Sequence, residues 1–163
     1  MDQTDLKILK LLQIDSTLPT SEIARKVGLS TSPCWKRISR LREQGVIKQQ
    51  VSILNASKLG FGLTAYVSIK TGEHSADWLS KFLNAVTHMP EVMEFHRMAG
   101  DVDYMLKVVV PNIDAFDKFY KSLIGSSTIS EVTSRFSMEK IKETTELPLQ
   151  FSTYKHYVIN IVP

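Results

Sequence analysis

Thr20-Ser21-Glu22-Ile23-Ala24-Arg25-Lys26-Val27-Gly28-Leu29-Ser30-Thr31-Ser32-Pro33-Cys34-Trp35-Lys36-Arg37-Ile38 is the stretch whose reading decides the fold. Ala24 is small enough for two helices to approach closely, Gly28 makes the tight turn, and Ile23, Val27, Leu29 and Ile38 lock the angle between the helices. Ser30 or Ser32 is expected to cap the second helix, with Pro33 in its first turn, where a missing N–H costs nothing. Cys34, Ile38 and Leu41 follow the i, i+4, i+7 spacing of a buried stripe, and Lys36, Arg37, Ser39, Arg40 and Arg42 take the remaining faces. This is helix-turn-helix grammar, in which the second helix enters the DNA major groove. Hydroxyls at the helix start then reach base edges and long basic side chains reach phosphates. The candidate DNA-binding residues are Ser30, Thr31, Ser32, Lys36, Arg37 and Arg40, with Arg37 expected to read a base and Lys36 to hold a phosphate. The plain alternative is a charged helix face that is merely solvated.

Outward from that stretch, Leu6, Leu9 and Leu12, widened by Ile8 and Leu11, give the period of a core-facing first helix capped by Asp2 or Thr4. Thr20 or Ser21 is expected to start the second helix, and Gly45 to end the third. Val46 to Leu54 reads as extended and Asn55 to Gly62 as a linker. Charge follows the same division. Residues 1–50 carry nine Lys/Arg against five Asp/Glu, whereas residues 51–150 carry ten against twelve. One end suits a polyanion and the other does not.

Beyond Gly62 the elements run β-α-β-β-α-β, the ferredoxin-like order. Thr64 to Lys70 alternates with Ala65, Val67 and Ile69 on one face. Ser75 caps a helix bearing Leu79, Phe82 and Val86, and Val92 to Ala99 is a strand. Tyr104 to Val110 is a third strand, Asn112 caps a helix with Phe116, Phe119, Tyr120 and Leu123, and Val132, Ser134, Phe136 and Met138 alternate along a fourth. Both helices on one face leave the other open, and Tyr66, the Met98/Tyr104 region and the fourth strand are expected to offer it apolar atoms. Such a face invites a partner sheet, so a homodimer is expected. The fold class is therefore α+β: a winged helix-turn-helix over 1–46, a strand and linker over 47–62, a ferredoxin-like domain over 63–149 and a tail over 150–163.

Other chemistries find few candidates. A lone cysteine, Cys34, forms no internal disulfide, and it sits on the apolar stripe, where it reads better as a small hydrophobe than as a redox sensor. Trp35 stacks on a base or, more commonly for such a residue, wedges between helices. The histidines, His74, His88, His96 and His156, are far apart and do not suggest a metal site. No nucleophile elbow, phosphate-cradling loop or nucleotide fingerprint is present, so neither enzyme chemistry nor a cofactor is expected. No apolar run approaches the ~20 residues that span a bilayer. With no leader pattern before Leu6, a cytoplasmic address is expected. Gly100-Asp101-Val102-Asp103-Tyr104 places two carboxylates and an aromatic ring at a hairpin tip. It reads equally as a plain turn and as a place where backbone amides and Asp103 hold an amino acid.

Residues 2–149 resemble the feast/famine (Lrp/AsnC) regulators. The likeness is carried by Asp5-Leu6-Lys7-Ile8-Leu9, by Ser32-Pro33-Cys34-Trp35-Lys36-Arg37-Ile38 with Leu41 and Gly45, and by the Gly100–Tyr104 hairpin. The resemblance implies dimers built sheet to sheet, often four of them in an octamer, acting on double-stranded DNA in response to a small amino acid. It also implies an effector site between dimers near the hairpin and the fourth strand, here Met98, Gly100, Asp101, Asp103, Tyr104, Thr133 and Ser134. Further segments, among them Met89-Pro90-Glu91-Val92 and Arg97-Met98-Ala99-Gly100, look like a branch that includes a cysteine-responsive regulator, which makes cysteine the first expected effector. The departure is Gln150 to Pro163, since chains of this kind commonly stop soon after Leu149. Two other functions compete: an architectural DNA-binding protein with little sequence specificity, and a small-molecule-binding module without DNA activity.

Overall fold

A computed structural model describes residues 1–73 and 75–152. The chain forms two compact units, residues 53–141 as one, and residues 1–52 with the segment that begins at Lys142 as the other. The sequence boundary at 149 thus differs from the structural one. Lys142 to Leu149 belong with the N-terminal unit, where Gln13 Nε2 donates to the Leu147 carbonyl at 3.0 Å and Gln13 Oε1 accepts from the Leu147 N–H at 3.1 Å. A 3-10 turn, Leu149–Phe151, follows, and the rest of the expected tail lies outside the described residues.

In the N-terminal unit, α1 (Gln3–Ile14) starts at a capping box. Asp2 Oδ1 accepts from the Asp5 N–H at 2.8 Å and Asp5 Oδ2 accepts from the Asp2 N–H at 2.9 Å. Helix α2 (Thr20–Val27) begins instead at Pro19, whose carbonyl takes the Glu22 and Ile23 N–H groups, so neither Thr20 nor Ser21 is the cap. Gly28, at φ 73°, makes the left-handed turn the sequence required, and the Leu29 N–H closes it onto the Ala24 carbonyl at 2.9 Å. Helix α3 (Thr31–Glu43) has Ser30 at its N-cap. Ile8, Ile23, Ala24, Cys34 and Ile38 form the buried core, with Leu11, Leu12, Leu18, Val27, Leu29 and Ile47 against it.

The extended stretch Val46 to Leu54 pairs with no strand among the described residues, and Val51, Ile53 and Leu54 are exposed. A single strand satisfies none of its own backbone groups, so an extended pattern without a partner in the chain stays outside any sheet. A 3-10 turn, Ser57–Leu59, follows it.

The second unit is a four-stranded antiparallel sheet, ordered β2-β3-β1-β4, from β1 (Leu63–Lys70), β2 (Val92–Arg97), β3 (Tyr104–Val110) and β4 (Glu131–Phe136). Helices α4 (Ala76–Thr87) and α5 (Ile113–Ser126) are capped by Ser75 and Asn112, each accepting a backbone N–H three residues on. Both helices pack on the same face of the sheet, the one that carries the alternate residues Ala65, Val67 and Ile69. Between helices and sheet lie Ala65, Val67, Ile69, Phe82, Val86, Leu106, Val108, Val110, Phe119 and Leu123, all buried. β2 ends at Arg97, two residues short of the expected Ala99, after an irregularity between Val92 and Glu94. Two expectations for the open face fail. Tyr104 shares the phase of Leu106, Val108 and Val110 and points at the helices. The apolar residues of the fourth strand, Val132 and Phe136, stand across from Ile69 and Ala65 on the helix side, and the open face carries polar groups in their place: Lys107 Nζ meets Glu94 Oε1 at 2.7 Å and Arg135 Nη1 donates to Ser68 Oγ at 3.0 Å.

Candidate DNA-reading face and effector site

The direction of each α3 side chain follows from about 100° of rotation per residue around the buried stripe of Cys34, Ile38 and Leu41. Ser32, Lys36 and Ser39 fall opposite that stripe, with Trp35 on one flank and Arg40 on the other. Ser30, Thr31, Ser32 and Lys36 are exposed, and Ser30 makes no side-chain capping bond. Trp35 does not wedge between helices; it is 57% exposed on the helix flank.

Arg37 is placed differently from expectation. Lying about 60° from Cys34, it leans toward the start of α1 instead of away from the core. Its Nη1 donates to Asp2 Oδ2 at 2.6 Å and to Asp5 Oδ1 at 2.8 Å, while Arg40 Nη2 donates to Asp5 Oδ2 at 2.7 Å. Asp5 is buried. The bond from the Asp5 N–H and the Arg37 guanidinium hold the Asp2 carboxyl below its ordinary value, and the same carboxylates raise Arg37. Arg37 is thus not the free guanidinium that the sequence reading expected: its Nη1 is held by two carboxylates on the α1 side. Lys36, one residue away, takes the outward position. Cys34 is buried, and burial pushes its thiol up, against an opposing pull from Arg37. That is the behaviour of a core residue and not of an activated thiolate.

At the other candidate site, four of the expected residues gather at the β2–β3 hairpin. The Met98 N–H donates to the Asp103 carbonyl at 2.8 Å, Gly100 takes φ 129°, and Asp101 is exposed. Asp103 is already engaged: its N–H reaches the Ile69 carbonyl at 2.9 Å and its Oδ2 accepts from the Thr71 N–H at 2.8 Å, tying the hairpin to the end of β1. Tyr104 lies underneath, 5% exposed, against Phe82 at 5.3 Å and Phe95 at 5.6 Å between ring centres. Thr133 and Ser134 sit on β4, at the opposite edge of the sheet from β2, and on opposite faces. Thr133 stands across from Ser68, and Ser134 across from Val67 on the helix side. Among the described residues, Ser134 Oγ is the one buried side-chain polar atom without a hydrogen-bond partner. Within one chain, then, the hairpin residues are assembled and the β4 pair is apart from them. A cleft of about 490 Å³ lies elsewhere, between α1 and the segment from Lys142 to Gln150, and touches none of the expected residues.

Sequence reasoning missed the contact of Asp2 and Asp5 with α3. The rotation of Arg37 toward the core stripe was its one available signal. Among the described residues no group of three His, Cys, Asp or Glu side chains is arranged to hold a metal, and no helix is long and apolar enough to cross a membrane.

A helix-turn-helix with an outward hydroxyl-and-lysine face, followed in the chain by a ferredoxin-like domain, is the architecture of a DNA-binding regulator with a separate ligand-binding domain. The chain belongs to the Lrp/AsnC family of transcriptional regulators: residues 1–48 match the winged helix-turn-helix DNA-binding model, and residues 64–147 match the Lrp/AsnC ligand binding domain. It is 48% identical over 151 residues to the DNA-binding transcriptional activator DecR of Escherichia coli (strain K12), covering 92% of this chain and 99% of that protein. A crystal structure of an AsnC family transcriptional regulator from Agrobacterium tumefaciens is similar with a TM-score of 0.89 at 53% identity, over 93% of this chain and 99% of that one. A transcriptional regulator from Neisseria meningitidis, solved as an L-Met complex, is similar with a TM-score of 0.88 at 31% identity, over 92% and 97%. The family is one of regulators and not of enzymes.

Proposed function

We propose that this regulator is sequence-specific, works as a homodimer or larger assembly, and changes its DNA occupancy in response to a small amino acid, with cysteine the first candidate. The observation that carries the DNA-binding part is the presentation of α3. Its buried stripe fixes which side faces out, and that side holds Ser32 and Lys36, with Ser30 and Thr31 exposed at the helix start. Hydroxyls at the start of a recognition helix suit base edges, the unpaired N–H groups there suit a phosphate, and a lysine in its middle suits the groove or its wall. Arg37 and Arg40 enter this reading as residues that touch α1 first.

Effector binding is supported by the match to a ligand-binding domain and by the likeness to a regulator solved with L-Met. The hairpin supplies the chemistry an α-amino acid needs: exposed backbone around Gly100 for a carboxylate, and Asp101 for an ammonium group. Met98 offers a soft, adaptable apolar contact for a small or sulfur-bearing side chain. Thr133 and Ser134 belong to the proposal through a second copy of the chain, since the effector site of the family lies between dimers. The test is a thermal-shift screen of the full chain with the twenty amino acids. A ligand at a hundredfold its dissociation constant adds ~2.7 kcal/mol to stability. The expected result is a rise with cysteine or another small amino acid, and a transition unmoved by all twenty would overturn the sensing assignment.

A further inference from the structure

We propose that Asp5 is the positioning residue of the DNA-reading helix: it fixes the rotation of α3 by holding Arg37 and Arg40 on the α1 side, and so selects which side chains meet the groove. The proposal rests on the reading of α3 as the DNA-contacting helix. Its geometry is a closed four-residue cluster. Asp5 Oδ1 accepts from Arg37 at 2.8 Å, Asp5 Oδ2 accepts from Arg40 at 2.7 Å and from the Asp2 N–H at 2.9 Å, and Asp2 Oδ2 takes Arg37 at 2.6 Å. Asp5 is buried at a helix start, so neither water nor another element competes for its oxygens.

Two consequences follow from charge and geometry. Two carboxylates and two guanidiniums cancel, so Arg37 and Arg40 do not add to the phosphate-neutralising charge that sets non-specific affinity. The helix is also pinned at two points, three residues apart along α3, from one carboxylate seated on α1. Paired contacts of that kind resist rolling of the helix about its axis, a motion that would exchange the hydroxyl-and-lysine face for an arginine face. Asp5 thus trades non-specific attraction for a defined reading face. Loss of its charge should leave two arginines against the single carboxylate of Asp2, with one positive charge in excess and open to any phosphate, while loosening the rotation that aligns Ser32 and Lys36.

The experiment compares wild type with Asp5→Asn on two DNA probes: a duplex enriched by the wild-type protein from a random library, and a shuffled duplex of equal length. Binding is titrated at several salt concentrations. For Asp5→Asn the salt slope on the shuffled duplex should steepen by about one, for the one arginine charge left uncancelled. The ratio of specific to non-specific affinity should fall about tenfold, the worth of one good base contact. Asp5→Asn/Arg37→Gln/Arg40→Gln should then return the slope to the wild-type value while the ratio stays low, which a purely stabilising role for Asp5 would not produce. An unchanged slope and ratio in folded Asp5→Asn overturns the proposal. Should that variant fail to fold, Arg40→Gln decides: Asp5 keeps its Arg37 partner, so the slope on the shuffled duplex should stay at the wild-type value while the ratio of specific to non-specific affinity falls, and a slope flattened by about one, or an unchanged ratio, overturns the idea. Lys36→Ala separates the two layers. If it leaves DNA binding intact, the reading of α3 itself falls; if it weakens binding while Asp5→Asn, or Arg40→Gln in its place, gives the overturning result, only the positioning role falls.

Discussion

Lys36 and Arg37 are neighbours in sequence with opposite fates, and a quarter turn of helix is the whole difference. Lys36 stands outward and exposed, so Lys36→Ala should weaken specific and shuffled DNA alike and flatten the salt slope by about one unit, as loss of one phosphate contact does. Wild-type binding by that variant, with circular dichroism unchanged, would remove α3 from the interface. Cys34 gives a second residue-scale expectation. Buried, with its thiol pushed up, it stays protonated and shielded at neutral pH. A thiol-disulfide reagent should therefore modify it only as fast as the protein unfolds, and rapid modification of the folded chain would contradict the core assignment. The i, i+4, i+7 stripe made Cys34 legible in the sequence. The same wheel already placed Arg37 near the core, but its carboxylate partners lie 35 and 32 residues away, at a distance no local pattern spans.

Among the elements, β3 shows what periodicity delivers and where it stops. Alternation identified the strand and its ends, yet the side of the sheet that carries the helices was assigned to the wrong phase for Tyr104, although Leu106, Val108 and Val110 shared its parity. Phe82 on α4 is the point where the aromatic cluster closes, buried against Trp78 at 4.9 Å and Tyr104 at 5.3 Å. Phe82→Ala should cost about 3–5 kcal/mol, read from urea unfolding followed by near-ultraviolet circular dichroism. A loss below about 1 kcal/mol would mean that the site collapses or was never packed. The caps of α4 and α5 were legible because Ser75 and Asn112 act on amides three residues ahead, whereas α2 starts at Pro19 on backbone bonds alone. The Val46–Leu54 stretch was legible as extended but not as unpaired, since strand patterns do not say who the partner is.

On the scale of the molecule, several large apolar side chains remain in solvent, among them Val51, Ile53, Leu54, Phe61 and, at 98% exposed, Met138. So much apolar surface is unfavourable to leave wet, and a second copy is the partner proposed for it. Light scattering at micromolar concentration should give a dimer or larger. A monomer mass across that range would leave these residues unexplained and the sheet-to-sheet assembly without support. The two-unit organisation was legible from the change of period and charge near residue 50. The return of the chain at Lys142 was not, because nothing local announces that Gln13 will clasp the backbone of Leu147.

That clasp bears on how the protein can be taken apart or recombined. A reading head grafted from this chain by one splice near residue 52 would leave behind the segment that packs along its first helix, and Gln13 would lose both its bonds. A faithful transplant needs two junctions, one on either side of the sensing domain, as if that domain were an insertion into the head. By the same logic, a single proteolytic nick between the two units parts no head from its body: each fragment still carries a piece of the DNA-binding unit, held to the other by non-covalent contacts.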